Sequence, residues 1–170
     1  YAPSLFPPKP SKGTVGIQIV SSGPDSKWEE IKQGYMKLIL SAKNSIWIQS
    51  PYFIPDASIL EALKIASLSG KDVRIMIPDK PDHMFVYWAT LSYAAELLTC
   101  GARIYIYRNG FIHAKTMVID REVSSAGTAN IDVRSFRLNF EVNAFIYNSD
   151  LSCRLAKKKK KDIGHSTQLT

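Results

Sequence analysis

The sequence predicts an α/β fold: a mixed parallel and antiparallel sheet sandwiched between helices. Three observations point there. From Val15 to Ile106, short β-branched runs alternate with runs of helical period. The order is strand, helix, strand, helix, strand, helix, strand, which is how parallel strands with crossover helices read. From Ile112 the pattern changes to three apolar runs with short connections, which should pair antiparallel. Composition agrees: 45% of residues are hydrophobic and 22% charged, an ordinary globular balance.

Each element has its own signal. Residues 1–12 contain Pro3, Pro7, Pro8 and Pro10 and read as an extended linker. Val15, Ile17 and Ile19 alternate with small or polar residues and indicate a strand. Ser26 and Glu29 form a capping-box pattern, and Trp28, Ile31, Tyr35, Leu38 and Ile39 stand at helical spacing. A short buried strand over 46–48 ends in Ser50-Pro51-Tyr52-Phe53-Ile54-Pro55, where two prolines oppose regular structure. Asp56 is placed to cap a second helix that stops near Gly70. A strand over 73–77 is closed by Pro78. A third helix is predicted over 84–99, with Gly101 as its stop. Ile104 and Ile106 mark a strand, and Asn109-Gly110 a turn. The last three strands are predicted over 112–119, 123–126 and 138–147. No internal repeat is visible.

Charge narrows the partners. Lys and Arg total 22 against 15 Asp and Glu, a net charge of +7. That favours anionic partners such as phospholipid headgroups or nucleic acid, without choosing between them. Five of the cations are Lys157 to Lys161. Residues 157–170 are expected to form a solvated basic tail. Attraction to an anionic membrane surface, about 1 kcal/mol per basic residue, is the functional alternative. No run approaches the roughly 20 apolar residues of a membrane span, and residues 1–12 do not read as a secretory signal. A start at Tyr1 suggests a piece of a longer chain, with any anchor elsewhere. Cys100 and Cys153 give no disulfide framework and no zinc-site spacing, so free thiols in a reducing compartment are expected.

The chemistry concentrates between 113 and 141. His113 and Lys115 are two apart on a predicted strand, so imidazole and ammonium share a face. Asp120 follows, then Gly127-Thr128-Ala129-Asn130. Thr128 and Asn130 also share a face if that segment is extended. Glu141 lies opposite Leu138, Phe140 and Val142 on the last strand. A lone His-x-Lys on a strand is ordinarily surface decoration; it is the company of Asp120, Gly127, Asn130 and Glu141 that argues otherwise. His83 reads as a helix-start residue, with the substrate entrance as the alternative. Tyr52 and Phe53 are expected in the core. Phe85, Val86, Tyr87 and Trp88 cannot all face one side of a helix. Contact with a bilayer and burial by a missing partner both fit them.

His113-x-Lys115, Asp120 and Gly127-Thr128-x-Asn130 resemble the His-Lys-Asp motif of the phospholipase D superfamily. Most members carry Ser where this chain has Thr128, which keeps the hydroxyl. The segments 50–56, 78–83 and 135–145 resemble the second, C-terminal phospholipase D-type domain of bacterial cardiolipin synthases. The likeness covers roughly residues 14–150. It implies a phospholipase D-like fold and a catalytic domain over 13–156.

It also implies a mechanism. Exchanging one alcohol for another on a phosphodiester needs a nucleophile, a proton donor for the leaving alkoxide, and positive charge at the non-bridging oxygens. Two imidazoles would serve as nucleophile and acid/base. His113 is expected in the acid/base role. Lys115 and Asn130 would hold the anionic oxygens, and Thr128 would be a supporting donor. Glu141 would orient His113, and Asp120 would be structural. No cofactor and no metal are expected. One His-x-Lys is half a site, because His83 and His165 lack this context. A second phospholipase D-type domain of a parent chain, or a homodimer mate, would supply the rest. The implied reaction joins two phosphatidylglycerols into cardiolipin and releases glycerol, at the cytoplasmic membrane. Nucleic acid is not the expected partner. The alternatives are a homodimeric phosphodiesterase or nuclease of the superfamily, and a non-catalytic lobe that binds anionic lipid.

Overall fold

The computed structural model describes residues 13–80 and 83–170, so the expected linker at 1–12 lies outside the described residues. In chain order the elements are β1 (Gly16–Ser22), α1 (Glu30–Ser41), β2 (Ser45–Gln49), β3 (Phe53–Ile54), α2 (Ala57–Leu68), β4 (Asp72–Pro78) and α3 (Met84–Thr99). They continue with β5 (Arg103–Tyr107), β6 (Thr116–Ile119), β7 (Val123–Gly127), β8 (Ile131–Asp132), α4 (Val133–Arg137), β9 (Glu141–Tyr147), α5 (Ser149–Ile163) and β10 (Ser166–Gln168).

The main sheet runs β1-β9-β7-β6-β2-β4-β5-β10. β2, β4 and β5 are parallel to their neighbours in that trio, and every other pairing in the sheet is antiparallel. The mixed α/β architecture expected from the sequence is therefore present. Its two faces follow from strand alternation. Ile46, Ile48, Ile75, Ile77, Ile104, Ile106, Met117 and Ile119 face the main core with α1, α2 and α3. The intervening Trp47, Val118, Met76 and Tyr105 face the other way, where Ala156 and Ile163 of α5 cover them.

Local signals fix both ends of α2. The Asp56 carboxylate accepts from Ile59 N–H at 3.0 Å and caps α2 as expected. Gly70 follows α2 at φ 83°, a left-handed position that favours glycine.

Several expectations need correction. The Ser26–Glu29 capping box does not form: Glu29 instead pairs with Lys32 at 2.6 Å and Arg137 at 2.6 Å, and Ser26 bonds Glu30. The Pro51–Pro55 segment contains a two-residue strand, β3, parallel to β8, because Phe53 and Ile54 lie between the prolines and remain free to pair. The strand expected from Ile112 begins only at Thr116, and the one expected from Leu138 begins at Glu141. In the gap before β9, Asp132 accepts from Ser135 N–H at 2.7 Å and starts the short α4.

The largest correction concerns 157–170. Asn148 accepts from Leu151 N–H at 2.9 Å and caps α5, which carries the lysine run to Ile163. Ser152, Ala156, Lys159 and Ile163 recur at helical spacing and turn one stripe toward the sheet. β10 then pairs with β5. This segment is part of the fold, not a tail. Its apolar stripe is hidden in the sequence because one stripe position is a lysine.

Candidate active site

β-register brings Lys115, Gly127 and Glu141 to one end of the sheet and leaves Asp120 at the other, against the amino end of β2. Gln49 at the carboxyl end of β2 pairs with Thr116, Thr116 pairs with Ala126, and Gly127 pairs with Asn143. Loops beyond the carboxyl ends of parallel strands are where ligands bind in such sheets.

Residues 111–115 are irregular, yet strand-like alternation persists through them. Ile112 and Ala114 pack with Met76, Tyr105, Tyr107 and Ile163. His113 and Lys115 are the alternate residues. Lys115 Nζ lies 2.9 Å from His113 Nε2 and 3.1 Å from the His113 carbonyl. With Lys115 charged, Nε2 is the acceptor and the neutral ring carries its proton on Nδ1. Lys115 is buried, whereas His113 is exposed and stacks on Phe111 with centroids 5.9 Å apart. The site therefore has a sheltered cation beside an accessible imidazole.

Asp120 sits at φ 51° in the β6–β7 turn. Its carboxylate accepts from the backbone N–H of Lys43 at 2.7 Å, Asn44 at 2.8 Å and Ser45 at 2.6 Å. Burial alone would raise its pKa, but these three donors outweigh it and hold the carboxyl below its ordinary range. Gly127 leaves no room for a side chain between β7 and β9. A Cβ there would collide with the Asn143 side chain and the Val142 carbonyl. Gly127 N–H donates to the Lys115 carbonyl at 3.2 Å, which couples the two halves of the motif.

Thr128 is pinned to β9, its Oγ1 accepting from Val142 N–H at 2.9 Å. Asn130 is buried. Its backbone N–H and Nδ2 both point at Ser135 Oγ, at 3.2 and 3.4 Å, and its Oδ1 has no partner among the described residues. Half a turn of the amide would let Ser135 donate to Oδ1 and would free both Nδ2 protons for an anion. Asn130 lines a cleft of about 330 Å³ with Tyr52, Ile54, His83, Val86, Asp132 and Asn139.

Glu141 is not brought to His113. Its Oε1 accepts from Asn139 Nδ2 at 3.2 Å, and it faces a separate cleft beside Glu30 and Phe140. Its charge adds to burial in raising the Asp132 pKa. His83 precedes α3 as its N-cap residue, as expected, and lines the Asn130 cleft. Phe53 is in the core, whereas Tyr52 is half-buried on the cleft.

Sequence reasoning missed the residues that hold the 128–132 loop. Asn143 Nδ2 donates to Tyr35 Oη at 2.7 Å and to Ser125 Oγ at 3.1 Å, while its Oδ1 accepts from Ala129 N–H at 3.2 Å. Tyr35 donates to the Ala129 carbonyl at 3.2 Å, and burial raises its phenol's pKa. Ser50 accepts from Ile131 N–H at 3.2 Å. Asn143 had a signal: it shares the Glu141 face of β9.

Comparison with known proteins decides the family. The model of the cardiolipin synthase phospholipase D-like domain matches residues 35–163. The chain belongs to that family. This phospholipase D-like domain is 65% identical to the major cardiolipin synthase of Bacillus subtilis over all 170 residues. It spans only about a third of that relative, 35% of its length. Among solved structures, the phospholipase D family member Nuc from Salmonella typhimurium superposes with a TM-score of 0.77 at 21% identity, covering 91% of this domain and 98% of that chain. Phosphatidylserine synthase from Haemophilus influenzae gives 0.74 at 18% identity, covering 91% and 40%. These two likenesses establish the shared phospholipase D-like fold.

Proposed function

We propose that this domain is one lobe of a phosphatidyl transferase that makes cardiolipin from two phosphatidylglycerols and releases glycerol. The observation that carries the reading is the 2.9 Å contact between Lys115 Nζ and the exposed His113 Nε2. The 65% identity to a cardiolipin synthase supports the substrate.

The second lobe supplies the nucleophilic imidazole. Its nitrogen attacks phosphorus, and the bond from phosphorus to the glycerol oxygen breaks. Once Lys115 has left Nε2, that nitrogen takes a proton from solvent, and His113 as imidazolium gives the leaving oxygen a proton. His113, now neutral, takes the proton of a hydroxyl on the second phosphatidylglycerol. That oxygen attacks phosphorus and the phosphorus–nitrogen bond breaks, restoring both histidines. Lys115 leaves Nε2 for a phosphate oxygen as the substrate binds, and Asn130 turns its amide to the same anion. Thr128 supports the loop that carries Asn130. Glu141 leaves Asn139 and orients the imidazole when the second lobe closes the site.

A membrane surface and a second phospholipase D-type domain are the proposed partners. Exposed Trp28, Met84, Phe85, Trp88, Phe111 and Phe140 lie on connections and helix starts at the motif end of the sheet, as such a cover requires. Among the described residues no helix is long and apolar enough to cross a membrane.

The test is competition. With a second lobe joined to this one, phosphatidylglycerol vesicles should give cardiolipin and glycerol, and single-stranded DNA should not slow the reaction. Cleavage of the DNA without cardiolipin would favour a phosphodiesterase instead.

A further inference from the structure

We propose that Lys159 is a positioning residue for the His113–Lys115 pair, acting from inside α5 by fixing Thr116, the first residue of β6. The proposal rests on the catalytic role given to His113 above.

Four of the five lysines in the run are exposed, and Lys159 is 3% exposed. Its Nζ donates to Thr116 Oγ1 at 2.6 Å, to the Thr116 carbonyl at 3.2 Å and to Gln49 Oε1 at 3.1 Å. An ammonium has three protons, and these acceptors take all of them. Thr116 Oγ1 donates onward to Gln49 Oε1 at 3.2 Å, and Gln49 Nε2 donates to Asp162 at 2.9 Å. The charged and titratable groups around Nζ are Asp162 on its own helix, with Arg74 of β4 and Tyr105 of β5 across a void of about 10 Å³.

A buried ammonium is costly to desolvate, and methionine would fill the same space without that cost. What Nζ holds is the anchor point of the motif. Residues 111–115 are not part of the strand ladder, and their placement depends on what lies beneath them. One helical turn along α5, Ile163 packs with Ile112 and Ala114. Lys159 then fixes Thr116 directly after Lys115. The two α5 contacts clamp both ends of the segment, so His113 and Lys115 present to the opposite side in one register. Burial also pushes the Lys159 amine down to about 7, against the pull of Asp162.

The test compares Lys159→Met, Thr116→Val, Thr116→Ser and Lys160→Met. Nitrogen NMR of the His113 ring is read in the whole chain. Steady-state kinetics on phosphatidylglycerol vesicles are read in the protein carrying both lobes. Lys159→Met and Thr116→Val should move the ring resonances and the His113 titration, and lower kcat about tenfold with KM nearly unchanged. Thr116→Ser, which keeps the hydroxyl, and Lys160→Met should match wild type. Folded Lys159→Met and Thr116→Val proteins with unchanged ring signals would overturn the proposal. If Lys159→Met does not fold, the Thr116 pair decides alone. A ring response in a protein without phosphatidylglycerol turnover would uphold the positioning role and reject the proposed reaction.

Discussion

At the scale of single residues, the buried groups make the sharpest predictions. Lys159 has a folded pKa of about 7 against 10.5 for a free lysine. Between those values the unfolded chain holds a proton that the folded chain has lost. Stability therefore rises with pH across about 7 to 10.5 and is lowest below that window. Lys159→Met removes the dependence. Its urea midpoint should exceed that of wild type by the largest margin below pH 7, with the difference vanishing near pH 10.5. Asp120 works in the opposite sense. Its folded pKa is depressed, so its contribution is present above the ordinary carboxylate range and is lost as pH falls through the folded value. Asp120→Ala removes three charge-assisted bonds to the α1–β2 connection and should cost about 2 kcal/mol in urea denaturation at neutral pH. Sequence spacing was enough to pair His113 with Lys115, whose side chains meet at 2.9 Å; the structural place given to Asp120 came with the family resemblance. Spacing could not reveal Tyr35 or Ser50, because each acts through a contact made only after distant segments meet.

At the scale of elements, close approach and stripe burial dominate. Gly127→Ala puts a methyl against the Asn143 side chain and the Val142 carbonyl, and β9 cannot retreat while paired to β1 and β7. The variant should lose about 1–3 kcal/mol, read as a lower Tm. Ending the chain at residue 156 would remove Lys159, Ile163 and β10, uncovering Met76, Tyr105 and Ile112. Its thermal unfolding should be broad and non-cooperative, whereas a basic tail could be deleted without effect. The parallel half of the sheet was legible because its strands are continuous apolar runs between clear helix signals. The second half was less so. α4 depends on Asp132 capping five residues, too short for periodicity to register, and α5 reads as a charge run because Lys159 occupies a core-facing position. Strand ends were misplaced at 112 and 138 because alternation continues past the last ladder bond.

At the scale of the whole molecule, the proposed mechanism finds only half of its site in this domain. One His-Lys pair is present, its imidazole is exposed, and aromatic side chains remain uncovered at the same end of the sheet. A two-histidine mechanism needs a second lobe over this end, and the chain spans about a third of the relatives it matches, 35% of their length. In sedimentation equilibrium the chain alone should remain monomeric, and as a monomer it should not turn over phosphatidylglycerol. A stable dimer would bring two copies of His113 into consideration and favour the phosphodiesterase. The most direct measurement is cardiolipin formation from phosphatidylglycerol vesicles by the two-lobed protein, with and without His113→Ala in this lobe. The variant should fold normally and lose activity by a factor of about 10²–10⁴. Full activity in a folded His113→Ala protein would exclude His113 as the acid/base.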